Sequence, residues 1–186
     1  SAVTGMTVSF SGSANVSGNT VSNITSAGAI TGIANGGSSS NQNFVNNTIT
    51  GLTSSGASAV TGISISTGVT QFVERNKICN LEGTNASSTV NGILNSGGTT
   101  SNIRNNTIGD LRAPNANAAN PVNGINITGG TTANVDYNTV YLNATSVGAL
   151  FGTSALSAST TPAPRAAIAR GARHAPCSPS LMIRRV

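Results

Sequence analysis

The chain has 186 residues, enough for one domain, and its 37% hydrophobic content can fill a core if the apolar residues are well placed. Only 7% of residues are charged, against roughly 25% in an ordinary soluble domain. The formal net charge of +5 belongs entirely to Arg165, Arg170, Arg173, Arg184 and Arg185, since residues 1–160 balance Arg75, Lys77, Arg104 and Arg112 against Glu74, Glu82, Asp110 and Asp136. The body therefore offers no basic face to nucleic acid, and no apolar window approaches the roughly 18 residues of a membrane span. Solubility rests on Ser, Thr and Asn, and the abundant β-branched residues favour strands over helices.

The chain opens on Val3-x-Gly5-Met6, inside a repeat, so its N-terminus reads as a cut. Val16-Asn19-Val21-Ile24 follows, and the two patterns then return together. The second copy is Ile30-x-Gly32-Ile33 with Phe44-Asn47-Ile49-Leu52, and the third is Val60-x-Gly62-Ile63 with Val73-Asn76-Ile78-Leu81. The fourth is Val90-x-Gly92-Ile93 with Ile103-Asn106-Ile108-Leu111. The fifth is Val122-x-Gly124-Ile125 with a weaker Val135-Asn138-Val140, where Leu142 stands one place early and Asn143 takes the fourth aliphatic position. A sixth copy is expected to begin at Leu150-x-Gly152, with Thr153 in place of the aliphatic. Glycine to glycine, the lengths are 27, 30, 30, 32 and 28 residues.

Apolar pairs two apart, such as Ile63 and Ile65, have the period of a strand with one buried face. Short strands separated by Gly, Asn, Ser and Thr every 30 residues or so match the coils of a parallel β-helix, stacked at about 4.8 Å. The fold class expected is all-β, with about five coils of 27–32 residues over residues 1–162. A leucine-rich repeat is the nearest rival, but its helical return segment has no counterpart in Ser/Gly-rich stretches such as 53–59.

Asn19, Asn47, Asn76, Asn106 and Asn138 are expected at a left-handed corner, stacked as a hydrogen-bonding ladder. Gly5, Gly32, Gly62, Gly92 and Gly124 are expected at the other corner, where a side chain would clash or the backbone must turn. Length variation collects in loops 25–29, 53–59, 82–89 and 112–121, which should line one side of the rod and are the first choice for a binding face.

The V-x-G-I and V-x-x-N-x-I-x-x-L units resemble the right-handed parallel β-helix repeats of large secreted proteins, particularly Bacteroidetes surface proteins. Asn138 to Pro162 looks like the end of such an array. The resemblance implies export to the cell surface or beyond. Residues 163–186 abandon the repeat for Ala, Arg and Pro, as a basic tail or an out-of-frame reading would, and His174 and Cys177 there do not suggest a metal. Neither Cys79 nor Cys177 forms a CxxC unit. No cofactor is expected.

Catalysis is sought among few acids. Glu74 and Asp136 should point outward two coils apart, with Arg104 between them, forming a column of alternating charge. Glycoside hydrolysis uses two carboxylates about 5 to 10 Å apart, but charges alternating across strands read first as solvated pairing. Glu74, Arg104 and Asp136 are accordingly candidate ligand contacts, and no catalytic residue is assigned. The function expected is a structural or adhesive segment binding glycans or a surface partner protein, with edge-to-edge self-association of coils open to it. The alternatives are a fragment of a β-helix polysaccharide lyase or hydrolase, and an ice-binding solenoid. For the last, Thr48, Thr107 and Thr139 should align, but Lys77 interrupts the file.

Overall fold

The computed structural model describes residues 1–37 and 41–159, and the backbone of 165–167. These residues form strands, turns and loops with no helix among them. Each coil contributes three strands in order. They are β1 (Val3–Val8), β2 (Ala14–Ser17) and β3 (Thr20–Ser26), then β4 (Ile30–Asn35), β5 (Asn41–Val45) and β6 (Thr48–Ser54). The third coil holds β7 (Ala59–Ile65), β8 (Thr70–Glu74) and β9 (Lys77–Gly83); the fourth holds β10 (Thr89–Ser96), β11 (Thr100–Arg104) and β12 (Thr107–Arg112). The fifth holds β13 (Ala118–Gly129), β14 (Thr132–Asp136) and β15 (Thr139–Tyr141), followed by β16 (Phe151–Ala158) and β17 (Arg165–Ala167).

Equivalent strands pair in parallel from coil to coil, giving three sheets: β1-β4-β7-β10-β13-β16, β2-β5-β8-β11-β14-β17, and β3-β6-β9-β12-β15. The molecule is thus a parallel β-solenoid of about five turns. Its interior is a set of aliphatic stacks running along the axis, such as Ile33–Ile63–Ile93–Ile125 and Phe44–Val73–Ile103–Val135, paired in register and buried to within 1%. Each fully buried member contributes roughly 1.5–3 kcal/mol before chain entropy is subtracted. Thr84–Ser88 and its equivalents join the third sheet to the first along one edge. They are stitched together by bonds such as Asn117 N to Ala86 O at 2.8 Å, and they bury Ser88, Ala113 and Ala116 completely.

The asparagine ladder is present and continuous. Each carboxamide donates Nδ2 to the Oδ1 of the next coil, at 3.0, 3.0, 2.9 and 2.9 Å from Asn19 through Asn138. Each Oδ1 also accepts the backbone N–H of the preceding ladder asparagine, as from Asn47 N to Asn76 Oδ1 at 2.9 Å. The second Nδ2 proton goes back one coil, from Asn76 to Phe44 O at 2.8 Å and from Asn106 to Val73 O at 2.7 Å. The amides from Asn47 to Asn138 are buried to within 2%, so they belong to the core.

Two expectations about local conformation need correction. The left-handed residue at this corner is the one before the ladder asparagine: Gly18, Asn46, Arg75, Asn105 and Tyr137 have φ of 70°, 56°, 54°, 54° and 57°. The bend falls there because the ladder side chain must point inward to reach its neighbours. The repeated glycines lie inside first-sheet strands, not at a corner, and none has positive φ. Their role is close approach. A Cβ on Gly62 would sit 2.6 Å from Ile78 Cγ2 and 2.5 Å from the carbonyl oxygen of Gly92. Gly32 meets Ile49, and Gly92 meets Ile108, in the same way.

The last copy is also placed differently. Thr153 pairs with Val122 and Leu156 with Ile125, so the sixth unit is Thr153-Ser154-Ala155-Leu156, and Ala155 stands in the glycine position. In the tail, Arg165–Ala167 pair with Asn134–Asp136. The rest of 163–186, with His174 and Cys177, lies outside the described residues.

Replacing Asn76 with Ala removes two donated bonds and leaves the backbone N–H and Nδ2 of Asn47 without their acceptor. The expected loss is about 3 kcal/mol, measured by thermal or urea unfolding. Tyr137→Asn should act oppositely. Asn tolerates the left-handed conformation better, and a side chain 67% exposed has little packing to lose, so stability should rise by about 1 kcal/mol in the same assay.

Candidate functional site

The outward face of the second sheet carries three columns set by strand register. Thr70, Thr100 and Thr132 form one, and Asn15, Asn43, Phe72, Asn102 and Asn134 form the next. Ser17, Val45, Glu74, Arg104 and Asp136 form the third. Glu74, Arg104 and Asp136 therefore occupy neighbouring strands at one position, at the spacing the repeat implies. Arg104 Nε stands 3.3 Å from Asp136 Oδ2, while Glu74 Oε2 lies 3.5 Å from Arg75. The Arg104 guanidinium also donates to Asn102 Oδ1 at 3.2 Å, and Asn134 Nδ2 reaches the same oxygen at 3.0 Å. Asn102 Nδ2 in turn donates to the backbone oxygen of Gln71 at 3.4 Å. These contacts link three adjacent coils into one polar network with Phe72 at its border.

A second charged cluster lies on the third sheet. Arg112 is paired in register with Glu82 and donates to its Oε2 through Nε at 3.1 Å and through a terminal nitrogen at 2.9 Å. It also binds Asp110 and the Asn80 carboxamide. Burial opposes the charge on Arg112, but hydrogen bonds and charge attraction from Asp110 and Glu82 outweigh it and hold the guanidinium above its usual range. A cleft of about 200 Å³ beside this cluster is lined by Asp110, Arg112, Pro114, Asn143, Ala144 and Thr145. The sequence shows the acids here, but only the register reveals that one arginine holds both.

Other expectations find definite positions. Lys77 stands in file with Thr48, Thr107 and Thr139, so the threonine file is interrupted on the third sheet. Cys79 is buried, with Sγ 3.7 Å from Thr50 Oγ1. Among the described residues no three His, Cys, Asp or Glu side chains gather as metal ligands, and no helix is long and apolar enough to cross a membrane. Phe72 is the feature that repeat reading misses. Comparing the position before each inward Val, Phe or Ile exposes it, because the other four coils carry Asn there.

Comparison of the chain with family models, with curated proteins and with solved structures finds no match.

Arg112→Met would leave Glu82 and Asp110 without their shared counter-charge. A loss of about 1 kcal/mol is expected at low ionic strength, and it should shrink in about 1 M salt as repulsion between the carboxylates is screened. Unfolding at the two salt concentrations measures both effects.

Proposed function

We propose that this solenoid is a non-catalytic structural or adhesive segment of an exported or cell-surface protein, a rigid rod whose neutral surface binds glycans. The observation that carries the reading is the state of its charges. Glu74, Glu82, Asp110 and Asp136 each lie within 3.5 Å of an arginine and residues 1–160 sum to no net charge, so most of the charge is paired and much of the remaining surface is hydroxyl and carboxamide. Such a surface suits a neutral, polyhydroxylated ligand, whose hydroxyls exchange hydrogen bonds with amides without a net charge to match. A carboxylate committed to a guanidinium is poorly placed to give or take a substrate proton. Export rests on the resemblance of the repeat to those of secreted surface arrays.

Glycan-array binding of the full chain tests the proposal, together with a screen for lyase and hydrolase turnover. Neutral glycans should bind, and binding should persist in about 1 M salt because a neutral ligand offers the protein's charges nothing to attract. Failure to bind any neutral glycan, or turnover that disappears in Glu74→Ala or Asp136→Ala, would overturn the reading.

A further inference from the structure

We infer that Phe72 and Tyr137 are the two stacking platforms of one binding strip for a neutral oligosaccharide, with Arg104 and Asp136 between them as hydroxyl partners. The inference rests on the glycan-binding reading above and gives it a place. It moves that place from the variable loops, which are stitched to one another where the third sheet joins the first, to the outward face of the second.

Phe72 is the only aromatic on that face among the described residues. Its ring is half-buried, in a column that is otherwise asparagine. Asn43 and Asn102 flank it at one strand spacing, about 4.8 Å, while Thr70 and Glu74 stand two residues away along the strand, about 6.6 Å. An apolar ring enclosed on four sides by carboxamide, hydroxyl and carboxylate has the chemistry of a sugar platform. The C–H face of a pyranose stacks on the ring, and its equatorial hydroxyls reach the surrounding polar groups. Arg104 is already held by Asp136 and by Asn102, a buried carboxamide whose other bonds go to Asn134 and Gln71, so little side-chain freedom remains to be lost on binding.

Tyr137 supplies the second, independent observation. It is 67% exposed and yet holds a left-handed backbone at φ 57°. Equivalent corners use Gly18, Asn46 and Asn105, which suit that conformation, and Arg75. An aromatic there gains little burial to offset its strain, and strain of this kind persists where the side chain serves the surface. Tyr137 lies two coils from Phe72, about 9.6 Å along the axis, and three positions across, about 10 Å. The Arg104–Asp136 pair falls between the two rings. An oligosaccharide spans that diagonal and a single sugar does not. Its neutrality follows from the face itself, where the arginine and the carboxylate cancel.

Affinity electrophoresis of the full chain through gels containing hydroxyethylcellulose, galactomannan or laminarin tests the strip, with polygalacturonate as the anionic control. At least one neutral polymer should retard the wild type. Phe72→Leu keeps apolar bulk but not the ring, and Tyr137→Asn should melt no lower than wild type. Each should weaken retardation about tenfold, while Phe72→Tyr retains it. Phe72→Trp would add the chain's only tryptophan, and its emission should shift on addition of the retarding polymer. Retardation unchanged in both Phe72→Leu and Tyr137→Asn would overturn the strip and leave the glycan reading standing. A wild type retarded by none of the neutral polymers would overturn both.

Discussion

Register between coils is the constraint on which everything else in this solenoid depends, and the buried carboxamide ladder holds it. An asparagine side chain has two donors and one acceptor oxygen with two lone pairs. From Asn47 to Asn106 all four are used, with bonds both to the next coil and back to the previous one. Such a group has no good alternative. A shift of one residue along either neighbouring sheet would leave several buried polar atoms unpaired at once, at about 1–3 kcal/mol each. Backbone pairing alone discriminates far less, since every residue offers the same N–H and C=O.

The ladder fixes the corner between the second and third sheets, and the glycine–aliphatic contact then fixes the width of the coil. Two residues after each ladder asparagine, Ile49, Ile78 or Ile108 crosses the interior to meet Gly32, Gly62 or Gly92 on the first sheet. The V-x-G-I and N-x-I motifs are therefore two halves of one contact. A larger residue at the glycine would also strike the carbonyl of the following coil, a backbone atom that cannot swing aside. This explains why the glycine recurs through five coils although its backbone is ordinary strand, and why the loops between the third and first sheets can vary in length without disturbing the core.

Much of this was legible in the sequence because stacking converts three-dimensional neighbours into a linear period. The five coils, the inward aliphatics, the ladder and the column of Glu74, Arg104 and Asp136 all follow from counting. Conformation within a corner was less legible. Asparagine signals both a left-handed backbone and a buried amide, and here the two properties fall on adjacent residues, Asn46 and Asn47 or Asn105 and Asn106. The sixth unit was misplaced for a related reason. Gly152 looks like the repeat glycine, but the pairing continues through Thr153 and Leu156, and Ala155 takes that place.

What a repeat cannot announce is the residue that departs from it. Phe72 and Tyr137 are invisible to a search for recurrence, because each interrupts a column instead of extending it. In a solenoid this irregularity is informative, since the coil supplies its own expectation at every position. Asn in four coils establishes what the second sheet tolerates at the Phe72 position, and Gly or Asn in three coils establishes what the corner prefers at Tyr137. Neither departure is required by the stack, since the other coils do without it. One sets an aromatic among amides on an outward face, and the other keeps a strained backbone under an exposed ring. Phe72 is paired in register with Asn102 and Tyr137 follows Asp136 in the chain, so both border the linked Asn102, Arg104 and Asp136 side chains. Departures that the stack does not require, gathered beside one polar network, favour the proposed strip as the part of the rod that meets a ligand.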